Sequence, residues 1–238
     1  MIIFIRFKDT GVICKQMTEN KSMFFSQCEE DKILYTKFFK HYTLPGQKYF
    51  FEMGAIDGLM YNNTKFYEDW LNWKGVLVEA NPFAYSRCVL NRPNCISMNA
   101  LVSDSTKPLT FRISTNIPAV CSVADTTPAS FENEYYRHAQ MVNVTMIPVP
   151  LSDVINKCGF PRIDLAILDV EGHEMHVLNS FNFEATKVPV VSWLIESFEE
   201  DNSELTSFME QHKYKNFGKV AHNLFFIHHD YLQYFPSC

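Results

Sequence analysis

No stretch of this sequence approaches the roughly 20 apolar residues that a membrane-spanning helix requires. The longest early apolar run, residues 1–5, is also shorter than the core of a signal peptide. A basic excess is missing too, because the formal net charge is −6, whereas a surface that binds nucleic acid needs clustered Lys and Arg. The composition therefore predicts a soluble protein that has neither a membrane nor a nucleic acid as partner.

The seven cysteines include no Cys-x-x-Cys pair. An odd number of cysteines without this spacing indicates neither a zinc ribbon nor a disulfide framework, so we expect reduced thiols. Three Asn-x-Ser/Thr sequons begin at Asn20, Asn62 and Asn143. The second of them lies inside the strongest functional motif, where a glycan would block the site. These features predict a cytoplasmic protein.

Short apolar segments alternate with helical patterns along the 238 residues. Such alternation predicts a doubly wound, parallel α/β sheet. We expect residues 49–238 to form this domain and residues 1–48 to be a helical extension packed on it. Residues 114–145 match no regular pattern and are predicted to be an irregular insertion, either a lid over the site or a surface excursion.

Four predicted strands end at an acidic residue: Glu52, Glu79, Asp169 and Glu196. Ligands of parallel α/β sheets bind beyond the carboxyl ends of the strands. We therefore expect the four carboxylates to rim one crevice.

The loop after the first strand reads EMGAIDG and places two glycines where a backbone turns sharply or approaches a ligand. Glu79 follows about 20 residues later, where a carboxylate accepts hydrogen bonds from a ribose diol. Two carboxylates would repel a pyrophosphate, and Ile56 replaces a glycine of the dinucleotide fingerprint. The residues thus favour S-adenosylmethionine as the cofactor. The alternative, binding of NAD, would make the protein an oxidoreductase.

Three blocks of this sequence together resemble the FkbM-type family of S-adenosylmethionine-dependent methyltransferases: FEMGAIDG followed by NNT, then GVLVEANP, then IDLAILDVEGHE. The resemblance implies a Rossmann-like sheet of seven strands, mostly parallel with a late antiparallel strand. It also implies methyl transfer to a hydroxyl of a sugar or another small molecule. A catalytically degenerate relative that serves as a binding or scaffold protein is the alternative.

The resemblance further implies which residues hold the cofactor. Glu79 would bind the ribose, with Asn81 supporting its loop, and Asp169 would face the sulfonium and the acceptor. The amino-acid end would lie against Glu52, Gly54, Asp57 and Gly58. The other expected contacts are Ala55, Asn63, Thr64 and Ala80 and, at the adenine edge, Asn99, Ala100 and Ser103.

Methyl transfer to a hydroxyl requires a base that removes the proton. His173 is the predicted base, oriented by Asp169 and Glu171, because the ordinary pKa of histidine lies near working pH. An equally weighted interpretation is that His173 only begins a helix. Asp169 and Glu171 could alternatively bind a hard divalent cation, although this interpretation is not favoured. The segment is not the zinc signature H-E-x-x-H, because its second histidine comes one residue early.

Overall fold

The computed structural model describes residues 23–127, 129–197 and 201–236, with the side chains of Ser130 and Glu134 excepted. The first part of the predicted extension, residues 1–22, and the sequon at Asn20 lie outside the described residues. No helix among the described residues combines the length and the hydrophobicity that a bilayer crossing needs.

A seven-stranded sheet forms the centre of the fold. Its strands are β1 (Tyr49–Met53), β2 (Lys74–Glu79), β3 (Ile96–Asn99), β7 (Leu165–Leu168), β8 (Ser192–Glu196), β9 (Tyr214–Val220) and β10 (Asn223–His228). The strand order is β3-β2-β1-β7-β8-β10-β9, and β10 runs antiparallel to both of its neighbours. The predicted fold class, a mostly parallel seven-stranded sheet with a late antiparallel strand, is confirmed.

Helices cover both faces of this sheet. They are α1 (Glu30–Leu34), α2 (Lys65–Leu71), α3 (Pro82–Asn91), α5 (Leu151–Lys157), α6 (Glu174–Asn179) and α7 (Ser203–Gln211). One core cluster joins Phe51 of β1 to helices α5, α6 and α7, and the other joins Phe50 to helices α1, α2 and α3. Successive strand residues point to opposite faces, so neighbouring phenylalanines bury two separate helical layers.

The segment predicted to be irregular is mostly regular, and that prediction is wrong. Strands β4 (Leu109–Ser114), β5 (Cys121–Val123) and β6 (Met141–Met146) form a second sheet in the order β5-β4-β6, and α4 (Ala129–Tyr135) lies between β5 and β6. Strand β5 is too short to show a clear alternation, and β6 is largely exposed, so neither gives a strong periodic signal.

One cysteine departs from the expectation of reduced thiols. Cys28 is disulfide-bonded, whereas Cys88, Cys95, Cys121 and Cys158 are free. No sequence pattern predicts this bond, because the spacing of single cysteines says nothing about which of them meet in the fold.

The topology also places the site. Strands β1, β2, β7 and β8 run parallel to one another. Their carboxyl ends therefore meet at one edge of the sheet, where the loops that follow β1, β2 and β7 come together.

Candidate functional site

The loop after β1 packs directly against the end of β7. Gly54 has a φ of +83°, and a Cβ atom there would lie 1.9 Å from the carbonyl oxygen of Asp169. Ile56 also has a positive φ, of 49°, which a β-branched residue rarely adopts. Its backbone N–H donates to Glu79 Oε2 at 2.8 Å. The loop is thus held in a strained conformation by a carboxylate at the end of β2.

Glu79 lies at the centre of the site with both carboxylate oxygens engaged. Oε1 accepts from the N–H of Asn81 at 2.7 Å, and Oε2 accepts from Ile56. Burial raises the pKa of Glu79 to about 7, although these backbone donors oppose the shift. Each carboxylate oxygen has two lone pairs, so each retains one acceptor position. Two adjacent acceptors suit the two hydroxyls of a ribose.

The loops around Glu79 are fixed by side-chain amides. Asn81 Oδ1 accepts from the N–H of Phe83 at 3.0 Å and caps α3, with Pro82 at the first helical position. Asn99 Nδ2 donates to the carbonyl oxygens of Glu79 and Ala80 at 2.8 and 3.0 Å. Asn81 thus holds the turn into α3, and Asn99 ties the end of β3 to the same loop.

Glu52 does not face the crevice with the other strand-end carboxylates. Its oxygens accept from Asn62 Nδ2 and the N–H of Asn63, both at 2.8 Å, and from the Thr64 hydroxyl at 2.5 Å. Arg92, which is fully buried, donates from Nη1 to Asn62 Oδ1 at 2.7 Å. Glu52 therefore lies beneath the loop at 62–64 and holds it in place.

Asn63 and Thr64 differ in what they offer a ligand. Thr64 is fully buried, and its hydroxyl is used by Glu52 and Arg92. Asn63 is 5% exposed, and its Oδ1 has no hydrogen-bond partner. A buried acceptor without a donor is costly, so Asn63 Oδ1 is a position where a ligand ammonium would be bound. Sequence reasoning missed Asn62, because its partner Arg92 lies 30 residues away.

Asp57 and Gly58 shape the loop that follows β1. Asp57 Oδ1 accepts from the N–H groups of Leu59 and Met60 at 2.9 and 2.8 Å. A Cβ atom on Gly58 would lie 2.7 Å from Arg92 Cγ. Ala55, which is 1% exposed, packs in the core beneath this loop.

His173 is buried and shared between two segments. Its Nε2 lies 3.0 Å from Ser103 Oγ, and its Nδ1 lies 2.9 Å from Thr126 Oγ1. Burial lowers the pKa of His173 to about 4. The side chain makes no capping hydrogen bond to α6. His173 thus connects the loop after β3, which begins at Ala100, with the insertion, and both ring nitrogens are occupied by protein hydroxyls.

Three carboxylates meet beyond β7 and β8. One oxygen from each of Asp169, Glu171 and Glu196 lies within 4.8 Å of the others. Burial raises the pKa of all three, and for Glu171 and Glu196 the charge of Asp169 adds to the shift. Among the ion pairs of the described residues, none joins a Lys or Arg to these three side chains. No cationic side chain of the described residues therefore balances the negative charge that these three groups carry when ionised.

Two further carboxylates border this group. Glu174 Oε1 accepts from the N–H groups of Val170 and Gly172, and burial raises the pKa of Glu174 to about 7. Glu30, from α1, is 5% exposed, and its pKa is raised to about 7, mainly by burial and in small part by the charge of Asp169. Glu30 was missing from the predicted site because only the fold brings the extension to this edge.

The model of the Methyltransferase FkbM domain matches residues 52–216 of this chain. The chain belongs to this family. The predicted resemblance is thereby confirmed, and with it S-adenosylmethionine as the cofactor. No curated protein matches this FkbM-domain chain.

Solved structures of other methyltransferases show a distant likeness to the FkbM-domain chain. TrmK from M. capricolum, solved with S-adenosylhomocysteine, has 10% identity and a TM-score of 0.41 over 77% of this chain and 62% of its own. The precorrin-6y C5,15-methyltransferase of Geobacter metallireducens GS-15 has 12% identity and a TM-score of 0.37 over 87% and 89%. The human methyltransferase 10 domain containing protein has 7% identity and a TM-score of 0.45 over 83% and 80%. The chain therefore spans about three-fifths of TrmK, and the family assignment rests on the domain match.

The residues of the site fit this cofactor. Glu79 retains two acceptor positions for a ribose diol, and Asn63 Oδ1 is a buried acceptor for the ammonium group. Because Gly54 has no side chain, the loop after β1 can approach the backbone of Asp169 closely. Ser103 is only 2% exposed and its hydroxyl lies at hydrogen-bond distance from His173, so it is engaged within the protein.

Proposed function

We propose that this FkbM-domain protein transfers a methyl group from S-adenosylmethionine to a hydroxyl of a sugar or another small molecule. One observation carries the proposal: Glu79, which can hold a ribose, lies on the same sheet edge as the carboxylates of Asp169 and Glu196. The charge of Asp169 acts on both Glu79 and Glu196. Cofactor and acceptor thus have adjacent places.

S-adenosylmethionine supplies a methyl group bonded to a positively charged sulfur. The carboxylates of Asp169, Glu171 and Glu196 give that end of the site a negative potential, which favours a cationic centre there. Glu79 accepts hydrogen bonds from the ribose hydroxyls and fixes the nucleoside. Asn63 Oδ1 accepts from the ammonium group.

Removal of the acceptor proton is assigned to the carboxylates at the end of β7 and β8. Burial raises the pKa of Asp169 and Glu196, so that either side chain accepts a proton more readily than an exposed carboxylate does. His173 was the predicted base. Its nitrogens are both hydrogen-bonded within the protein, so we assign it a positioning role between the insertion and Ser103.

The test begins with calorimetric titration of the purified protein with S-adenosylmethionine and S-adenosylhomocysteine. Glu79→Gln is expected to weaken both affinities by about 10- to 100-fold, because hydrogen bonds to a charged acceptor contribute about 1.5–3 kcal/mol. Glu210→Gln, an exposed change on α7, is the control and should bind as the unmodified protein does. Failure of the unmodified, folded protein to bind either ligand would contradict the proposal.

The acceptor is sought by incubating the protein with S-adenosylmethionine and panels of sugars and small alcohols, and by measuring S-adenosylhomocysteine release. A product that carries the new methyl group on an oxygen atom supports O-methyl transfer. Cofactor binding without release for any acceptor, in the presence of Mg²⁺ and of Mn²⁺, would favour the degenerate binding protein instead.

The cellular location is a separate question. The disulfide at Cys28 argues against the predicted cytoplasmic location, because disulfides persist mainly in oxidising compartments. The sequons differ as reporters: Asn143 is exposed on β6, whereas Asn62 is 2% exposed and bonded to Glu52. Sensitivity of the cellular protein to a glycosidase that removes N-glycans, lost in Asn143→Gln, would place it in the secretory pathway; insensitivity together with cytosolic fractionation would support the cytoplasm.

A further inference from the structure

The carboxylate group beyond β7 and β8 brings together more acidic side chains than the described residues around it can balance when ionised. Asp169 and Glu196 share a side-chain hydrogen bond, for which one of the two must keep a proton that a bound cation would displace. Besides lacking Lys or Arg partners, the carboxylate group contains two oxygens, Glu171 Oε2 and Glu196 Oε2, that are shielded from solvent and have no hydrogen-bond partner. Acidic oxygens that are shielded from bulk solvent gain most from a bound cation, because burial penalises their ionised form.

A second strand brings an uncharged oxygen to the same place. Asn223 of β10 lies directly opposite Glu196 of β8 in the antiparallel register. Residues directly opposite each other in such a pair project from the same face of the sheet, with Cβ atoms about 5 Å apart. Asn223 is 5% exposed, and its Oδ1 also has no hydrogen-bond partner. This amide oxygen therefore faces the carboxylate group without a donor.

We propose that Asp169, Glu171, Glu196 and Asn223 form a binding site for a hard divalent cation. Carboxylate and amide oxygens without sulfur or imidazole ligands are the donor set of Mg²⁺, Mn²⁺ and Ca²⁺. The three carboxylate oxygens already lie within 4.8 Å of one another, as ligands around one ion do. A site of four protein oxygens leaves positions for water or an acceptor hydroxyl.

The position of this site relates it to methyl transfer, and in this respect the inference rests on the proposed function. A divalent cation lowers the pKa of a hydroxyl bound to it. The hydroxyl oxygen then forms the new bond to the methyl carbon, the carbon–sulfur bond breaks, and its electron pair remains on the sulfur of S-adenosylhomocysteine. With the cation bound, Asp169 and Glu196 are ligands, so the hydroxyl proton passes to solvent water instead of to these carboxylates. The substrate class that fits is an alcohol or diol that can ligate the cation.

The test is a titration of the full-length protein with Mn²⁺, in which free Mn²⁺ is measured by electron paramagnetic resonance without S-adenosylmethionine. One saturable site is expected, and Mg²⁺ or Ca²⁺ should displace the Mn²⁺. Glu196→Gln and Asn223→Leu should each weaken Mn²⁺ binding at least about 10-fold. Glu210→Gln should leave it unchanged. No saturable binding, or unchanged affinity in both site variants, would overturn the proposal.

A thermal melt guards against variants that do not fold. Mg²⁺ should raise the melting temperature of the unmodified protein and of Glu210→Gln, but not that of Glu196→Gln; no rise in the unmodified protein would overturn the site.

Titration of S-adenosylmethionine in EDTA separates the two proposals. Cofactor binding without an Mn²⁺ site overturns the cation site alone, whereas an Mn²⁺ site without cofactor binding overturns the proposed function alone. The two ligands should bind together, and mutual exclusion would place the cofactor's own positive charge at these oxygens.

Discussion

Single residues at this sheet edge are constrained by what lies next to their backbone. Gly54 and Gly159 both have a positive φ, of 83° and 70°, yet only Gly54 would bring a Cβ atom against another backbone. Near Gly159 nothing lies within 4 Å of that position. Substitution of Gly159 therefore measures the cost of a left-handed backbone alone, whereas substitution of Gly54 adds the cost of a clash with the Asp169 backbone.

Gly159→Ala is expected to lower the free energy of unfolding by about 1–2 kcal/mol, which is the cost of a left-handed conformation for alanine. Gly54→Ala should cost at least about 3 kcal/mol, because the new methyl group would overlap the Asp169 carbonyl and separate β1 from β7. Urea unfolding monitored by circular dichroism measures both. Equal losses in the two variants would mean that the loop after β1 moves freely away from β7.

At the scale of elements, a buried histidine gives the insertion a polar link to the site. Thr126, just beyond β5, and Ser103, just beyond β3, contact opposite nitrogens of His173. A small buried cluster that includes Leu101 and Val123 packs the same two segments together, and the His173 contacts add a polar link between them. The insertion thereby borders the acceptor side of the sheet edge.

Thr126→Val should cost about 1–2 kcal/mol, because it leaves a buried ring nitrogen without a partner. It should also speed amide hydrogen exchange in residues 121–127 while leaving β1 unchanged. Thr115→Val serves as the control, since its hydroxyl is exposed and bonds only the carbonyl of Gln140; it should cost less than about 0.5 kcal/mol. Unaltered exchange in Thr126→Val would show that the insertion is held elsewhere.

The sequence predicted the elements whose signals are local. The ends of β2 and β8 at Glu79 and Glu196, and the cap of α3 at Asn81 followed by proline, are visible in short stretches. The rest depends on distant partners. Arg92 reaches back to the loop at Asn62 across 30 residues, and Asn223 lies opposite Glu196 only because β10 pairs with β8. Periodicity contains no information about such pairs.

For the whole molecule, the buried carboxylates make stability depend on pH. Glu30, Glu79 and Glu174 each have a pKa raised from 4.5 to about 7 in the folded chain. Between these values the folded chain binds protons that the unfolded chain has released. Their stabilising effect is complete below about pH 4.5 and is lost as the pH rises through about 7. His173 opposes this trend, because its pKa is lowered from 6.5 to about 4, so stability is lost as the pH falls through that range.

The pH dependence that the three carboxylates contribute exceeds the opposite contribution of the one histidine. The ligand-free protein should therefore have a free energy of unfolding at least ~2 kcal/mol higher at pH 5 than at pH 8. Urea unfolding in EDTA at the two pH values measures the difference. Glu30→Gln, which removes one of the three groups, should reduce it, whereas Glu210→Gln should not. Greater stability at pH 8 would show that these carboxylates are already ionised without penalty.

The group formed by Glu52, Asn62, Thr64 and Arg92 has a consequence for how this protein can evolve. Each member satisfies at least two others in the interior, so a change in one leaves the rest with unmet charges or donors. Single substitutions there are filtered out before any compensating change can arise. Lineages that descend from this sequence should therefore replace the four residues together or keep them all, while the exposed surface of α3 drifts freely.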